Sequence, residues 1–531
     1  MKKASERLLQ AANWTVRIVG ALIFAWLTYF SLRYTYFCLP GPAERPVVIK
    51  DSLWTQAAFM LFALSLWLFL TFLEKRVSRN TAQLISGLSI AAALLCVAVM
   101  SFYWINAAEH VPDGDPAFIY GGASYFLEGN YMFLNAPAGY FALYPHQLPL
   151  TALMELLFLV AGAYQYHAFE SVCAVLAVAI VFLGYLILRE LTTGMGAAVM
   201  YSLTAVCCLP LIFYTSWVYG DVPSIFFSML AAWLLLRYRL TERAGWLVGL
   251  AAAVTMAVVV RKNSMILVVA LCLVAGVCLL ARKDRKLFAA AVCAVILPFL
   301  VYQGVYRFYE AKSGYEHSKG IPVIAWVSMG LNENDGKYGW YDDSAKQIHI
   351  NMEYDERLTK IAAKQNIAQR LEVFRADKAY AGTFFREKIL SQWNSPLYQS
   401  VFFNTRYEED EMPAEDSIAA KISDSYFPKV LAMCNRLQLL IYVGMLLYYL
   451  LAVRHDSDMR QHLLAVAVIG GFFFSVLWEA KARYVFPYYM MMFPFAAAGY
   501  SRMFAAIASM GRKGGQKEQE ESDIVPFRKS A

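Results

Sequence analysis

Stretches of about 20 consecutive apolar residues recur along this 531-residue chain, and they constrain its fold more than any other feature. A helix needs about 20 apolar residues to cross a ~30 Å hydrocarbon core, and only helices or closed barrels satisfy the backbone there. The composition agrees, since 59% of the residues are hydrophobic and 16% are charged, against about 25% charged in soluble domains. The sequence therefore predicts an all-α polytopic membrane protein.

Twelve stretches are predicted to span the membrane, and a thirteenth, 147–163, is ambiguous because it is short and contains Glu155. The first stretch is too long for a cleaved signal peptide and is predicted to remain as an anchor. The predicted spans are 14–37, 53–73, 83–105, 168–188, 196–217, 222–240, 245–260, 264–281, 287–305, 431–453, 461–478 and 485–507.

Basic residues in the short connections decide the orientation, because Lys and Arg accumulate in cytoplasmic loops. If 147–163 does not span, the N-terminal "MKKASER", the tail and nearly every basic connection fall on the cytoplasmic side. If it does span, every later loop inverts and the rule fails several times. We therefore predict a helix at the outer surface for 147–163, both termini in the cytoplasm, and a place in the cell membrane. The net charge of +7 is then explained by orientation and not by nucleic-acid binding.

This topology divides the chain into alternating membrane and outer segments. The first large outer loop is predicted to carry flat juxtamembrane helices, and a second large loop precedes the last three spans and covers the outer face. The segments are 1–105 (tail and first three spans), 106–167 (outer loop), 168–305 (membrane core), 306–430 (large extracytoplasmic loop), 431–510 (last spans) and 511–531 (cytoplasmic tail).

Two aspartates one residue apart open the first outer loop in the stretch "DGDP". Asp-Pro is a common helix start, which makes Asp115 the predicted N-cap, Pro116 the first helical residue and Asp113 a turn residue. The functional alternative is a carboxylate at the membrane surface that acts as a general base or metal ligand. The two interpretations are compatible, because a capping carboxylate keeps a free lone pair.

Two further outer-face residues have a structural and a functional interpretation. Asp221 lies in "YGDVP", where Gly-Asp before proline is typical of a turn, but it shares the predicted face of Asp115. His146 lies in "YPHQLP" and is either structural beside its prolines or an acid, base or ligand. Ionisable groups at this depth are functional candidates.

Cations at span ends on the outer face oppose the usual charge bias and need an explanation. Arg261 and Lys262 are adjacent there, and Arg483 follows the same pattern in "KARYVFP". An anion such as a phosphate would account for them, since Arg offers a bidentate fork and Lys a point charge. The alternatives are snorkelling to lipid headgroups and, for Arg483, an internal pair with Glu479.

The layout as a whole resembles the GT-C glycosyltransferases, and within them the bacterial protein O-mannosyltransferase and aminoarabinose-transferase group. Asp115 takes the place of that group's leading acidic residue, with Ala123 and Glu128 at similar spacing. "SWVYGD" is similar to the group's later outer aspartate through Asp221. The sequence departs from the group at Pro116, where the group has a glutamate, and its first large outer loop follows span three instead of span one.

The late segment "ARYVFPYY" resembles the group's arginine-tyrosine-proline signature through Arg483, Tyr484 and Pro487, and "YPHQLP" is similar to its histidine-proline stretch with the order altered. The resemblance covers most of residues 83–305 and 430–507 and is strongest in the overall layout.

The resemblance implies transfer of a sugar, a hexose or pentose, from a polyprenyl-phosphate donor to an extracytoplasmic acceptor, with inversion at the anomeric centre. Asp115 would be the base, and Asp113 or Asp221 would assist it. Phosphate and donor would be bound by the residues Arg261, Lys262, Arg483, Tyr484 and His146. Metal dependence stays open, because Asp113, Asp115 and Asp221 could together hold a divalent cation.

Two other classes compete with this interpretation. A lipid-linked glycan transporter or flippase would use the same anion contacts without chemistry, although internal symmetry and mid-span charges, which are common in transporters, are missing from the sequence. A glycan ligase or polymerase would share the general architecture.

Overall fold

The computed structural model describes residues 2–39, 44–108, 110–135, 139–404 and 417–510, and these are mostly helical. Among the described residues, nine helices are long and apolar enough to cross a membrane, and a tenth is added if one bent pair forms a single span. The all-α polytopic fold is thus confirmed, whereas the number of twelve spans stays a prediction. The predicted tail at 511–531 lies outside the described residues.

The N-terminal part consists of long helices interrupted by a small hairpin. The two strands are antiparallel, with Tyr34 opposite Lys50, and the hairpin is attached to the second large loop because the Tyr36 amide donates to the Asn394 carbonyl at 3.0 Å. The elements are α1 (Lys2–Ser31), β1 (Tyr34–Cys38), β2 (Pro46–Lys50), α2 (Leu53–Glu74) and α3 (Arg79–Ala107).

The loop 106–167, predicted to lie at the outer face, folds into short helices in its described parts, as predicted. Its last helix has 14 residues, fewer than the roughly 20 needed to cross a bilayer, and it packs against the first helix of the loop. The elements are α4 (Asp115–Leu127), α5 (Met132–Asn135), α6 (Tyr140–Leu143) and α7 (Leu148–Ala161).

The prediction that Asp115 caps α4 is wrong. Helix α4 begins at Asp115 itself, and Gly114 precedes it with φ +56°, a conformation that glycine adopts without steric cost. Its N-cap residue is Gly114, which makes no side-chain cap hydrogen bond. The Asp115 carboxylate, which is 43% exposed, therefore projects from the first turn without a bond to the helix backbone.

The central part is a bundle of helices. Its elements are α8 (Tyr166–Leu191), α9 (Met195–Val206), α10 (Leu209–Phe213), α11 (Asp221–Thr241), α12 (Gly245–Val260), α13 (Met265–Arg282) and α14 (Arg285–Ser313). Helix α11 packs against both α8 and α12, and α14 packs against α12 and α13. The bent pair consists of α9 and the segment Leu209–Ser216, which begins with α10, at an angle of 49°.

The second large loop is attached to the end of the helix bundle. The Ala480 amide donates to the Gly339 carbonyl at 2.7 Å, and buried Lys388 donates to the Val476 carbonyl at 3.0 Å. The elements are α15 (Val323–Gly330), β3 (Glu333–Asn334), β4 (Lys337–Tyr338), α16 (Ser344–Asn351), α17 (Glu356–Ala376), α18 (Lys378–Trp393), α19 (Ser400–Asn404) and α20 (Ile418–Ser423).

The spacing of apolar residues over about 354–393 predicts a helical segment with one apolar face in this loop. The structure divides this segment at Asp377, which caps α18 by accepting from the Tyr380 amide, and the apolar face is only partly formed. Phe374 is buried, but Leu358 and Ile361 remain exposed, because the face of α17 that packs inward carries Thr359, Ala363 and Phe374.

The last helices are α21 (Phe427–Leu447), α22 (Leu463–Leu477) and α23 (Phe486–Met510). Helices α21 and α23 cross closely, since a Cβ on Gly444 would lie 2.7 Å from the Ala496 side chain. Small residues permit this approach between membrane helices. The crossing fixes α23, whose preceding turn carries Arg483.

Two of the connections that the charge bias predicts to be cytoplasmic, the one after α13 and the one before α22, also contact each other. Arg460 and Arg282 pair with Asp458 at 2.8 and 3.1 Å, and the Tyr238 hydroxyl donates to Asp284 at 2.8 Å. These residues lie at one end of helices α11, α13 and α22, whose other ends form the cavity described next.

Candidate functional site

One cavity of about 760 Å³ opens where the residues just before α11 and the first residues of α13 meet the last residues of α22. Every segment predicted to share the outer face contributes to its wall, so the predicted convergence is present in the structure. The wall includes Asp113 and Asp115 before α4, Trp217 and Tyr219 before α11, Arg261 and Lys262 after α12, Gly320 and Trp326 of the second large loop, and Glu479, Arg483 and Tyr484 before α23.

Charged side chains of both signs line this cavity, with cations in excess among its described lining residues. An excess of positive charge in a partly enclosed space attracts anions. The cations are Arg261, Lys262, Lys319, Lys337, Lys481 and Arg483, and the carboxylates are Glu44, Asp113, Asp115 and Glu479.

Asp115 and Arg483 come together across the cavity although 368 positions separate them in sequence. Their carboxylate oxygen and guanidinium nitrogen are 3.9 Å apart. Asp115 is 43% exposed to the cavity, whereas Arg483 is 3% exposed. The arrangement places a solvated carboxylate next to a fixed, buried cation.

Aromatic rings and one amide hold Arg483 in place. Its guanidinium carbon lies 4.9 Å from the Phe403 ring centre and 5.0 Å from that of Tyr219, distances at which a cation is attracted to the ring face. Its backbone amide donates to Gln399 Oε1 at 3.2 Å. Its Nε has no hydrogen-bond partner among the described residues, so the side chain retains a donor for a bound anion.

Asp221 does not lie on the cavity wall but forms an ion pair with Arg261 behind it. Both side chains are buried. Gly220 allows this pairing, because a Cβ there would lie 1.9 Å from the Val260 carbonyl oxygen, so only glycine lets α11 begin so close to the end of α12. The structure therefore places Asp221 where it can position Arg261, which lines the cavity.

The possible cation site formed by Asp113, Asp115 and Asp221 is not assembled. Asp221 contacts Arg261, while Asp113 and Asp115 line the cavity. Within the described parts of the chain, no group of three or more His, Cys, Asp or Glu residues could hold a metal ion.

A second ionic group lies beside Arg483. Lys481 is 3.2 Å from Glu44 and 3.5 Å from Glu479, and Glu479 accepts a hydrogen bond from the Tyr484 hydroxyl at 3.1 Å. Burial raises the pKa of Glu479, and the two carboxylates raise the pKa of Lys481 although burial opposes this. The internal Glu479–Arg483 pair that the sequence offered as an alternative is absent, because Arg483 contacts Asp115 and Glu479 contacts Lys481.

His146 lines the cavity beside Gln147, which is hydrogen-bonded to the Tyr219 hydroxyl. Burial and the positive charge of Lys262 lower the pKa of His146 to about 3. The imidazole is therefore neutral near neutral pH, which favours hydrogen bonding over a role as a charged phosphate ligand.

This shift predicts an acid-sensitive contribution of His146 to stability. Between the folded value of about 3 and the ordinary 6.5, the unfolded chain binds a proton that the folded chain does not, so acidification destabilises the fold. We expect the melting temperature to fall less between about pH 7.5 and about pH 5 in His146→Asn than in wild type. The exposed His455→Asn is the matched control and should behave as wild type. An equal fall in all three proteins would contradict the prediction.

Sequence reasoning missed the residues that orient Arg483. Gln399 and Phe403 belong to the stretch "NSPLYQSVFFN", where polar residues interrupt an apolar run and become almost completely buried. Buried polar residues of this kind are normally hydrogen-bonded, but their partners are far away in sequence. Glu44 was also missed, because one acidic residue in a short connection carries no signal.

The fold and the cavity define a polytopic membrane protein with an ion-lined site at the helix ends. The model of the family described as "Conserved hypothetical integral membrane protein" matches residues 8–503. The chain therefore belongs to this family. A search of curated proteins finds no match.

Several solved structures are similar to the chain. The protein O-mannosyltransferase Pmt1-Pmt2 complex of S. cerevisiae, bound to the sugar donor, shares 16% identity over 57% of this chain and 41% of that chain, with a TM-score of 0.36. AglB, an archaeal oligosaccharyltransferase from Archaeoglobus fulgidus in complex with an inhibitory peptide and a dolichol-phosphate, shares 12% over 82% and 53%, with a TM-score of 0.41. ArnT from Cupriavidus metallidurans, bound to undecaprenyl phosphate, shares 14% over 82% and 81%, with a TM-score of 0.33.

A protein O-mannosyltransferase, the group named from the sequence, is thus among these structures. The chain spans less than two thirds of the length of the first two.

Proposed function

We propose that this protein is a membrane glycosyltransferase that moves a sugar from a polyprenyl-phosphate donor to an acceptor at the outer face of the cell membrane. The observation that carries the proposal is the contact between Asp115, a partly exposed carboxylate, and the buried Arg483, in a cavity that also contains Arg261 and Lys262. General base and phosphate ligands are the two functions that such a transfer needs.

In the proposed reaction, Asp115 takes the proton from an acceptor hydroxyl as its oxygen attacks the anomeric carbon. The bond between this carbon and the phosphate oxygen breaks, and polyprenyl phosphate leaves with the electron pair. Arg261, Lys262 and Arg483 stabilise the charge that grows on the phosphate. Attack from the face opposite the leaving group inverts the anomeric centre.

Asp221 has a positioning role in this proposal. Its carboxylate is paired with Arg261 behind the cavity wall and orients this side chain, so it is not available to take a proton. Asp113 lines the cavity beside Asp115 and is the second carboxylate that could assist the base. His146 and Tyr484 complete the donor side as neutral groups.

The proposal is tested with membranes that contain the protein and with radiolabelled polyprenyl-phosphate hexoses and pentoses. We expect consumption of at least one donor and release of polyprenyl phosphate. If no donor in the panel is consumed while polyprenyl phosphate still binds and crosses the membrane, a transporter replaces the enzyme as the function.

Arg483 is expected to bind the donor phosphate. The substitution Arg483→Lys keeps the positive charge but removes the planar guanidinium group, so it tests the contribution of that group. Lysine cannot stack on the surrounding rings or offer the free Nε, and a charged hydrogen bond contributes about 1.5–3 kcal/mol. We therefore expect the Kd for polyprenyl phosphate to rise roughly 10- to 100-fold in the purified protein. Arg386→Lys, on the exposed side of α18, is the matched control and should bind normally. An unchanged Kd for Arg483→Lys would remove Arg483 from the phosphate site.

A further inference from the structure

Tyr484 joins two different ionic groups of the cavity. Arg261 lies over its ring, 5.7 Å from the centre, and its hydroxyl donates to Glu479 Oε2 at 3.1 Å. The ring thus contacts the cation Arg261, which is followed in sequence by Lys262, and the hydroxyl contacts Glu479, which together with Glu44 surrounds Lys481. The two groups are thus separated by about one tyrosine side chain, a distance comparable to one sugar ring.

Each of these two carboxylates has an oxygen without a hydrogen-bond donor among the described residues. Lys481 contacts Glu44 Oε1 at 3.2 Å, but Glu44 Oε2 has no partner. Glu479 Oε2 is used by Tyr484, whereas Oε1, 3.5 Å from the Lys481 ammonium, accepts no hydrogen bond. The Glu479 side chain is 2% exposed, and a buried acceptor without a donor is costly, so a ligand that brings donors would be favoured here.

The surrounding surface is aromatic. Trp326 and Trp478 lie with their ring centres 6.4 Å apart and nearly parallel, and both line the cavity that Glu479 also lines. Tyr341 receives the Lys481 ammonium over its ring at 5.2 Å. Flat aromatic faces pack against the C–H faces of sugar rings, while carboxylates accept hydrogen bonds from sugar hydroxyls. A cationic ligand is less suitable, because Lys481 and the neighbouring Arg483 already place two positive charges near the two carboxylates.

We propose that Glu44 and Glu479, held by Lys481, form a subsite that binds a sugar by accepting hydrogen bonds from its hydroxyl groups. This inference rests on the proposed function, because it takes the donor phosphate to lie at Arg261 and Lys262. The sugar is that of the lipid donor or that of a glycan acceptor, and both have the same hydroxyl chemistry.

The test compares ligands with and without a sugar on the purified, full-length protein. The probes are polyprenyl phosphate, the polyprenyl-phosphate hexoses and pentoses, and soluble methyl glycosides of the same sugars. In wild type, at least one sugar-bearing lipid should bind more tightly than polyprenyl phosphate. In Glu44→Gln and Glu479→Gln this advantage should fall about 5- to 20-fold, because a charged acceptor becomes a neutral one, while the Kd for polyprenyl phosphate stays the same.

Two controls separate a lost contact from a damaged fold. Glu372→Gln makes the same change on the exposed surface of α17 and should leave all affinities unchanged. Glu44 is less buried than Glu479, so Glu44→Gln keeps the test valid if Glu479→Gln does not fold. The melting temperature of each variant without ligand is measured alongside.

Each outcome decides one point. If the variants reduce the ratio between the Kd of polyprenyl phosphate and the Kd of the sugar-bearing lipid, the result supports the subsite and assigns it to the donor sugar. If this Kd ratio is unchanged but binding of the methyl glycosides is lost, the result supports the subsite and assigns it to the acceptor sugar. If both are unchanged, the subsite is wrong while the proposed function stands. If wild type binds no polyprenyl lipid at all, the proposed function fails, and the subsite with it.

Discussion

Replacement of Asp115 by asparagine is expected to lower the rate of sugar transfer by roughly 10²–10⁴-fold, the contribution typical of a general base. Asparagine has nearly the same shape but cannot take a proton from the acceptor hydroxyl. The side chain is 43% exposed and makes no cap bond, so the fold should tolerate the change. The rate is measured as donor consumption at saturating polyprenyl-phosphate sugar, which separates the chemical step from binding.

Two variants make this result specific. Asp335→Asn introduces the same change at an exposed turn of the second large loop, where φ is +51° and asparagine is well tolerated, so its rate should equal that of wild type. Asp113→Asn distinguishes the neighbouring carboxylates. A larger loss in Asp113→Asn than in Asp115→Asn would make Asp113 the base, and unchanged consumption in both would falsify the base assignment altogether.

The second large effect is expected at the buried pair of Asp221 and Arg261, and it concerns stability. Both side chains are at most 5% exposed, and removal of one partner of a buried ion pair leaves an uncompensated charge, at a cost of about 3–5 kcal/mol. Asp221→Asn should therefore lower the free energy of unfolding by that amount. The measurement is a denaturation curve of the purified protein in detergent.

The double variant Asp221→Asn/Arg261→Met tests whether the loss comes from the charge itself. With both charges removed, the protein should be more stable than either single variant, which gives a coupling energy between the two sites. Asp456→Asn is the control, because its pair with Arg454 is more than 60% exposed on both sides and contributes about 0–1 kcal/mol. Additive losses would show that the two charges do not stabilise each other.

The sequence predicted which residues behind these two predictions lie near one another, but not the local conformation of each. The grouping of Asp115, Arg261 and Arg483 was predicted, because the positive-inside rule assigns each connection to a side before any contact is known. The local conformation of Asp115 was predicted wrongly. Asp-Pro favours Asp115 as the cap and Pro116 as the first helical residue, but α4 begins one residue earlier, at Asp115, because Gly114 adopts a positive φ of +56° before it.

The different roles of the aspartates could not be read from the sequence. Asp115 and Asp221 are both acidic residues at helix starts on the same predicted face. They differ because Gly220 allows α11 to approach Val260 closely, which buries Asp221 against Arg261, whereas Asp115 opens into the cavity. Such a distinction is set by the approach of two helix backbones, and sequence periodicity contains no information on it.

The sequence by itself determined the helical membrane fold, the order of its long helices and the set of connections that meet at one end. These follow from segment length, apolar content and the positions of Lys and Arg, which act locally along the chain. Only the tertiary structure decided which charges pair. Arg483 contacts Asp115 and not Glu479, and Lys481 gathers Glu44 and Glu479. The pairing of buried charges depends on distances of a few ångströms between residues hundreds of positions apart, and packing of the helices sets those distances.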